Sequence, residues 1–276
     1  MQVVRIGYCP DPDDAFMLYA LTTGKVTIEG VSVQPVLDDI EALNRRARAA
    51  ELEVTAISAA TYLLVADRYR LMDSGAALAK GYGPILVARE PIAVAEIPDR
   101  VVAIPGSHTT ASLLLRLYVP SEPALIEVAF DKIPGAVLEG QADVGLLIHE
   151  GQLTHAALGL CKVLDLGEAW ARDTGLPLPL GVNVMRRDLE ESMQRRISAG
   201  LRASIEWAHA HADEAVDHAM RYARGMDRDT CRRFISMFVN EHSVTLGADG
   251  RAALERLYVS AHRKRLIPDV PPLDFI

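Results

Sequence analysis

Short apolar runs alternate with helical patterns through the first two thirds of the chain. The runs predict strands at 3–8, 31–37, 54–57, 100–104, 126–130 and 144–148. Apolar residues at helical spacing predict helices between them, at 13–21, 40–50, 59–66, 110–118 and 133–140. Strands that alternate with helices are typical of parallel βαβ units. The pattern therefore predicts an α/β protein.

The same order of elements occurs twice, first over 5–62 and again over 100–155. Each copy gives a strand, a short loop, a helix, a second strand, an aspartate, a helix and a third strand that ends in a polar residue. Identity between the copies is low, so chance similarity stays open as the alternative. The shared order predicts two lobes built on one plan.

Glycine and proline mark two places where the chain passes between the predicted lobes, at 81–84 and 175–181. From about residue 188 to residue 265 the pattern is helical. We therefore predict one lobe from 1–87 plus 187–276, and a second lobe from 88–186. This connectivity is typical of two-lobed binding proteins, in which mixed sheets flanked by helices face each other across a ligand cleft.

Composition narrows the function classes. Half of the 276 residues are hydrophobic, so the chain can bury a core. The net charge of −8 argues against nucleic acid and against anionic membrane surfaces as partners. The three cysteines are far apart and form no C-x-x-C pair, which argues against a disulfide framework and a structural zinc site. We find no signal peptide or membrane span in the sequence, and we expect a cytoplasmic protein.

The carboxyl ends of the predicted strands are where ligands of such clefts bind, and the first of these loops is acidic. It reads Cys9-Pro10-Asp11-Pro12-Asp13-Asp14. Asp11 suits the N-cap of the next helix, so plain capping is one interpretation. The other is a site that meets hydroxyls or accepts protons, for which Asp14 is the better candidate. Cys9 is expected to be a small buried residue because no cation beside it would lower its pKa.

Two further loops offer groups suited to an anion. Ser58 ends the third strand, and Gly106-Ser107-His108-Thr109-Thr110-Ala111 precedes a helix without any acidic residue. Hydroxyls and amides at a helix N-terminus can hold a carboxylate, although capping alone also accounts for them. His108 is either a ligand contact or a loop residue with a satisfied hydrogen bond.

His149 follows the last strand of the second copy directly. An imidazole has a pKa near neutrality, so at the mouth of a cleft it can exchange protons with a ligand. A satisfied structural histidine is the alternative. No P-loop, G-x-G-x-x-G or G-x-S-x-G pattern occurs, which removes the usual nucleotide-binding and hydrolase signatures.

These loops lie in stretches that resemble the 1,4-dihydroxy-6-naphthoate synthase family of menaquinone biosynthesis by the futalosine route. The resemblance covers nearly the whole chain, and its most specific stretches are SHTTA, GLLIHEG and LDLGEAWARDTGLPLPLG. Relatives often read P-C-P-N-D in the first loop, where this chain has Asp11 and Asp13; Asp14 matches the pattern.

The resemblance implies a type II periplasmic binding protein-like fold and a lyase without metal or organic cofactor. The substrate would be a small carboxylate, cyclic dehypoxanthine futalosine, bound by a monomer or homodimer. His149 matches the family's base, and the family's carboxylate-binding positions fall on Ser58, Thr110 and Ala111, with Thr109 adjacent. Asn44 matches the family's L-N-R segment and would line the cleft. Two alternatives stay open: a chorismate dehydratase of the same pathway and fold, and a solute-binding protein that only captures an organic anion.

Overall fold

The computed structural model describes residues 1–276. Its eleven strands are β1 (Gln2–Tyr8), β2 (Val31–Leu37), β3 (Val54–Ser58), β4 (Tyr69–Leu71), β5 (Ala77–Ala79), β6 (Ile85–Ala88), β7 (Val101–Ile104), β8 (Ala124–Glu127), β9 (Val144–Leu147), β10 (Cys161–Asp165) and β11 (Leu178–Arg186). Its α-helices are α1 (Pro12–Thr22), α2 (Ile40–Arg48), α3 (Thr110–Tyr118), α4 (Ile133–Leu138), α5 (Gly151–Thr154), α6 (Leu166–Thr174), α7 (Glu191–Ala210), α8 (Ala212–Ala219), α9 (Arg228–Phe238), α10 (Glu241–Val244) and α11 (Gly247–Arg263).

The strands form two mixed sheets. The first sheet has the order β2-β1-β3-β11-β4, and β5 also pairs with β11. The second sheet has the order β10-β6-β9-β7-β8. In each sheet the three strands of one predicted repeat lie side by side and parallel, as β2-β1-β3 and as β8-β7-β9. The repeat therefore predicts the core of both sheets correctly, and the α/β class is confirmed.

The chain crosses between the sheets twice, near the two predicted places. The hydrogen bonds put β6, which starts at Ile85, in the second sheet, and β11 in the first sheet against β3. The predicted boundary at 87/88 is therefore a few residues too late, because β6 already belongs to the second sheet. The predicted boundary at 186/187 puts β11 in the second lobe, whereas β11 belongs to the first sheet. The sequence did not show this because β11 follows its crossover directly, with no polar loop to mark the change of sheet.

Close packing at the first crossover requires glycine. A side chain on Gly167 at the start of α6 would stand 1.9 Å from the carbonyl carbon of Tyr82, and one on Gly83 would stand 3.0 Å from the backbone of Gly167. A cluster of 31 buried residues runs from β3 and β11 in the first sheet to β7 and β9 in the second. The two lobes therefore share one core behind the cleft.

The predicted helical region after residue 188 forms α7 to α11. α7 and α8 pack on α1, while α11 packs on β11, so this region belongs to the first lobe. No helix is both long enough and apolar enough to cross a membrane. The predicted helix at 59–66 is a 3-10 helix, Ala59–Leu64. The strands at 69–71, 77–79, 85–88 and 161–165 were not predicted, because three to five residues give too short a run for a periodic signal. The nine-residue helix at 166–174 was also not predicted.

Candidate active site

A cleft with an empty volume of about 720 Å³ opens between the two sheets. Many of the residues that line it lie at the carboxyl ends of β1 and β3 in the first sheet and of β7 and β9 in the second. They include the acidic loop Cys9–Asp14, Ser58, the helix start Thr109–Ala111 and His149. These are the four loops expected from the sequence, because the carboxyl ends of parallel strands converge at a cleft.

His149 stands two residues after β9 with its side chain 18% exposed. Its backbone has φ of +51°, a left-handed conformation that a residue with a side chain adopts only where its surroundings hold it. Nδ1 lies 3.5 Å from Oδ2 of Asp11, and the ring of Phe130 meets the imidazole edge-on at 4.8 Å between centroids. Because Nδ1 faces Asp11, Nε2 is the nitrogen that remains for a ligand.

Burial sets the charge of this imidazole. Loss of solvent lowers the pKa of His149 despite the nearby carboxyl groups of Asp13 and Glu150, which raise it. A lowered pKa keeps the ring neutral at physiological pH, the form that can accept a proton. His149 therefore has the protonation state required of a general base.

The acidic loop combines capping with burial. The side chain of Asp11 accepts a hydrogen bond from the amide of Asp14 at 3.2 Å and caps α1, and Oδ2 of Asp14 accepts one from the amide of Cys9 at 2.8 Å. Asp13 is buried with Oδ1 unpaired. The loop therefore places three carboxyl groups at one end of the cleft, and two of them support the local backbone.

The carboxyl groups of this loop hold protons more tightly than exposed ones. Burial raises the pKa of Asp11 and of Asp14 to about 7, and it raises that of Asp13 well above its usual range. Near neutral pH the loop is only partly charged, so it can both donate and accept hydrogen bonds. This end of the cleft suits hydroxyl groups, as the sequence predicts.

Cys9, Asp11 and Asp14 are the group of donors in this loop close enough to share a metal ion, with ligand atoms within 4.8 Å of one another. Two observations argue against such a role. Burial raises the pKa of the Cys9 thiol well above its usual range, and Asp14 already binds the Cys9 amide. Metal ligation requires the deprotonated thiolate, so we assign no metal to this loop.

The opposite end of the cleft is the N-terminus of α3. Thr109 caps the helix, because its hydroxyl accepts from the Ser112 amide at 3.2 Å and lies 2.9 Å from the Gly106 carbonyl. The Thr110 hydroxyl accepts from the Ala60 amide at 3.1 Å and donates to the Leu180 carbonyl at 2.7 Å. Both hydroxyls are therefore engaged. The donors left for a ligand are the first amides of the helix, which have no partner within it.

Ser58 completes this end, and Asn44 holds it in place. The Asn44 side chain is fully buried and does not line the cleft. Its Oδ1 accepts from the Ser58 amide at 2.9 Å, and its Nδ2 donates to the Ser58 hydroxyl at 3.1 Å. The hydroxyl proton of Ser58 thus remains available to a ligand. Asn44, predicted to bind substrate, is placed to orient Ser58 instead.

His108 also lies outside the cleft lining. Its Nδ1 is 2.5 Å from Glu41 of α2, and its Nε2 is 2.7 Å from the guanidinium of Arg48. Because arginine can only donate, Nε2 accepts and Nδ1 carries the proton that binds Glu41. Of the two interpretations left open for His108, the structure shows the loop residue with satisfied hydrogen bonds, and these bonds join the two lobes. The sequence could not predict these bonds, because Glu41 and Arg48 lie on a different element, α2.

Two aromatic and cationic neighbours of His149 were not predicted. Phe130 opens a 3-10 helix between β8 and α4, and Arg224 lies far along the chain between α8 and α9. The Arg224 guanidinium stacks over the Phe130 ring at 4.4 Å. No local motif marks either residue, since both come close to His149 only through the folding of the whole chain.

Two mixed sheets, two crossovers and a cleft between them define a two-lobed protein of the periplasmic binding protein-like class. An alkanesulfonate-binding protein from Xanthomonas axonopodis has this fold: its structure matches with a TM-score of 0.71 and 12% identity, over 98% of this chain and 96% of that one. A family model described as menaquinone biosynthesis matches residues 4–263. The chain belongs to this menaquinone biosynthesis family.

Individual relatives agree with that assignment. A 1,4-dihydroxy-6-naphthoate synthase of Thermus thermophilus is 40% identical over 271 residues, which are 98% of this chain and 98% of the relative. The crystal structure of an Archaeoglobus fulgidus protein matches with a TM-score of 0.91 and 46% identity, over 96% of this chain and 98% of that one. The similarity therefore extends over both lobes and the helical region.

Proposed function

We propose that the protein is a carbon–carbon lyase that converts cyclic dehypoxanthine futalosine to 1,4-dihydroxy-6-naphthoate. The observation that supports this most directly is the neutral His149 imidazole in a cleft with hydroxyl-binding carboxyl groups at one end and free helix amides at the other. Family membership and the synthase relative favour this reaction over a chorismate dehydratase or a binding-only protein. The proposal includes a cytoplasmic location and no metal or organic cofactor, both of which stay predictions.

The two ends of the cleft give the substrate one orientation. Its carboxylate would bind the amides of Thr110 and Ala111 and the Ser58 hydroxyl. The hydroxyls of its sugar would then meet Asp11 and Asp14, whose partly protonated carboxyl groups donate or accept as needed. No arginine or lysine lines the cleft, so neutral donors alone would hold the carboxylate.

His149 would start the reaction. Nε2 takes a proton from a sugar hydroxyl or from the carbon beside the carbonyl, and the imidazolium that forms is stabilised by Asp11 at 3.5 Å. The carbon–carbon bond then breaks, a three-carbon fragment leaves, and formation of the aromatic ring drives the later steps. Closure of the lobes would exclude water and align the reacting groups.

The test is incubation of the purified protein with cyclic dehypoxanthine futalosine while the naphthoate chromophore is followed. We expect product, and we expect His149→Asn to lower kcat by about 100-fold or more, because general base catalysis typically contributes ~10²–10⁴-fold. Asparagine keeps the polarity and tolerates the left-handed backbone of this position, so the fold should survive. Wild-type turnover by a folded His149→Asn variant would refute the base, and turnover of chorismate alone would favour the dehydratase.

A further inference from the structure

Arg224 occupies an unusual turn of the helical region. It follows the 3-10 helix Met220–Tyr222 and precedes α9. Its φ is +47°, and that of the next residue, Gly225, is +87°. Two consecutive left-handed residues turn the chain sharply, and a residue with a side chain keeps this conformation only where its contacts hold it. The contacts of the Arg224 side chain are with residues far from it in the sequence.

That side chain contacts both lobes at once. Nη1 lies 3.3 Å from Oε1 of Glu150, and Nη2 donates to the Pro10 carbonyl at 3.2 Å. The guanidinium also covers the Phe130 ring at 4.4 Å. Glu150 and Phe130 belong to the second lobe, whereas Pro10 and Arg224 itself belong to the first. A planar guanidinium can make these three contacts together, which a lysine ammonium cannot.

Both second-lobe partners of Arg224 adjoin His149. Glu150 is the next residue along the chain, and the Phe130 ring meets the imidazole edge-on at 4.8 Å. Pro10, the first-lobe partner, is next to Asp11, which approaches Nδ1 of His149. Arg224 thus contacts three residues that adjoin either His149 or its partner Asp11.

We propose that Arg224 is a positioning residue, an interlobe latch that holds Phe130, Glu150 and the acidic loop around His149 when the lobes are together. The cleft then closes with the imidazole fixed between Phe130 and Asp11. Precise placement matters because a misplacement of about 1 Å can cost ~100-fold in rate. The latch rests on the proposed function only for its effect on turnover.

The charge of Arg224 should affect the pKa of His149, which a purely structural residue would not do. The groups that act on His149 are Asp11 at Nδ1, Asp13, Asp39 and Glu150, which favour the imidazolium, and Arg224, which disfavours it together with burial. Loss of Arg224 removes a positive charge and admits water, so the pKa of His149 should rise. Loss of the Glu150 charge should lower it.

The experiment is an NMR titration of the His149 ring in the free protein, combined with the pH profile of kcat/KM. We expect Arg224→Met to raise the His149 pKa and to lower kcat by about 10- to 100-fold. Arg224→Lys should restore most of the pKa but little of kcat, because the charge returns without the planar contacts. Glu150→Gln should move the pKa in the opposite direction.

Arg221→Met is the matched control, since this exposed arginine lies three residues earlier and contacts none of the latch partners. It should leave both the titration and kcat within about twofold. Arg224→Met with a lowered Tm but an unchanged His149 titration and kcat would overturn the latch. The titration needs no substrate, so a shifted pKa in a protein that does not convert the proposed substrate would refute the function and leave the latch standing.

Discussion

Each end of the cleft contains the cap of a helix, but the two capping groups differ in charge. The acidic loop and the start of α3 both follow a parallel strand, and both must cap the helix that comes next. Asp11 caps α1 with a carboxyl group, whereas Thr109 caps α3 with a hydroxyl. The acidic cap brings burial-raised pKa values and contact with His149, while the neutral cap leaves free amides. The choice of cap thus decides which part of a ligand each end can accept.

The comparison also shows that capping and ligand binding are not rival interpretations of such a loop. Asp11 caps its helix with one contact and faces His149 at 3.5 Å with Oδ2. Thr109 uses its hydroxyl entirely for capping. A carboxyl cap has a second oxygen that can contact another group. A hydroxyl cap has only one oxygen, so a ligand at that end of the cleft binds the backbone amides instead.

The largest effect should come from giving the neutral end a charge. Asp caps helices as well as Thr does, so Thr109→Asp should fold, but its carboxylate would repel the substrate carboxylate at the α3 amides. We expect the KM to rise by about 100-fold or more, since like charges brought together cost several kcal/mol. Steady-state kinetics measure it. Thr109→Asn introduces a neutral cap with the shape of aspartate and should change the KM by less than about fivefold. An equal rise of the KM in both variants would contradict a carboxylate at this end.

Removing the charge from the acidic end should act on kcat instead. Asp11→Asn keeps an oxygen for the cap but cannot stabilise the imidazolium of His149. We expect kcat to fall by about 10- to 100-fold with little change in KM. Asp227→Asn is a suitable control, because Asp227 also caps a helix with its side chain, that of α9, but has no contact with His149. An unchanged kcat in Asp11→Asn would remove Asp11 from the mechanism.

The sequence predicts one side of this comparison better than the other. Periodicity and the repeat locate both loops, because each follows an apolar strand and precedes a predicted helix. Local sequence also shows that one loop is acidic and the other is not. It cannot show that Asp11 meets His149, because that contact joins residues of different lobes and exists only once both sheets have formed.

The same limit explains the misplaced residues. Asn44 and His108 were expected in the cleft, yet each is turned away by a partner from another element, Ser58 and Glu41 respectively. Arg224 was missed for the converse reason, since nothing near it in sequence points to the cleft. Spacing within one helix or strand predicts which face of that element a side chain occupies. The residue that the side chain then binds depends on tertiary packing.

The raised carboxyl pKa values predict an unusual dependence of stability on pH. Asp11 and Asp14 have folded pKa values of about 7 against unfolded values of 3.8, so the folded state binds more protons between those limits. Their contribution is complete below pH 3.8 and is lost as the pH rises through 7. From pH 6 to pH 8 each group should lose about 1 kcal/mol of the free energy of unfolding.

Thermal unfolding of Asp11→Asn/Asp14→Asn against the wild type measures this effect. The double variant should gain Tm relative to the wild type by about 2–5 °C on going from pH 6 to pH 8, because it has no proton to lose. The lowered pKa of His149 acts with the opposite sign, and loss of the Asp11 carboxyl should lower that pKa further, which adds to the gain expected for the double variant. Parallel Tm curves for the two proteins would show that these carboxyl groups titrate normally.

The smallest effect on binding should come from the Thr110 hydroxyl, which tests whether the neutral end binds through its backbone. The hydroxyl joins the Ala60 amide and the Leu180 carbonyl of the first lobe, so it has no hydrogen left for a ligand. Thr110→Val leaves both buried partners unsatisfied and should cost about 1–3 kcal/mol of unfolding free energy. The KM should nevertheless stay within about threefold, because the amides are untouched. Thr110→Ser keeps the hydroxyl and should recover most of the stability. A tenfold rise in KM for a folded Thr110→Val would instead show that the hydroxyl binds the substrate. The α3 end of the cleft would then bind through a side chain, as the acidic end does, and not through backbone amides alone.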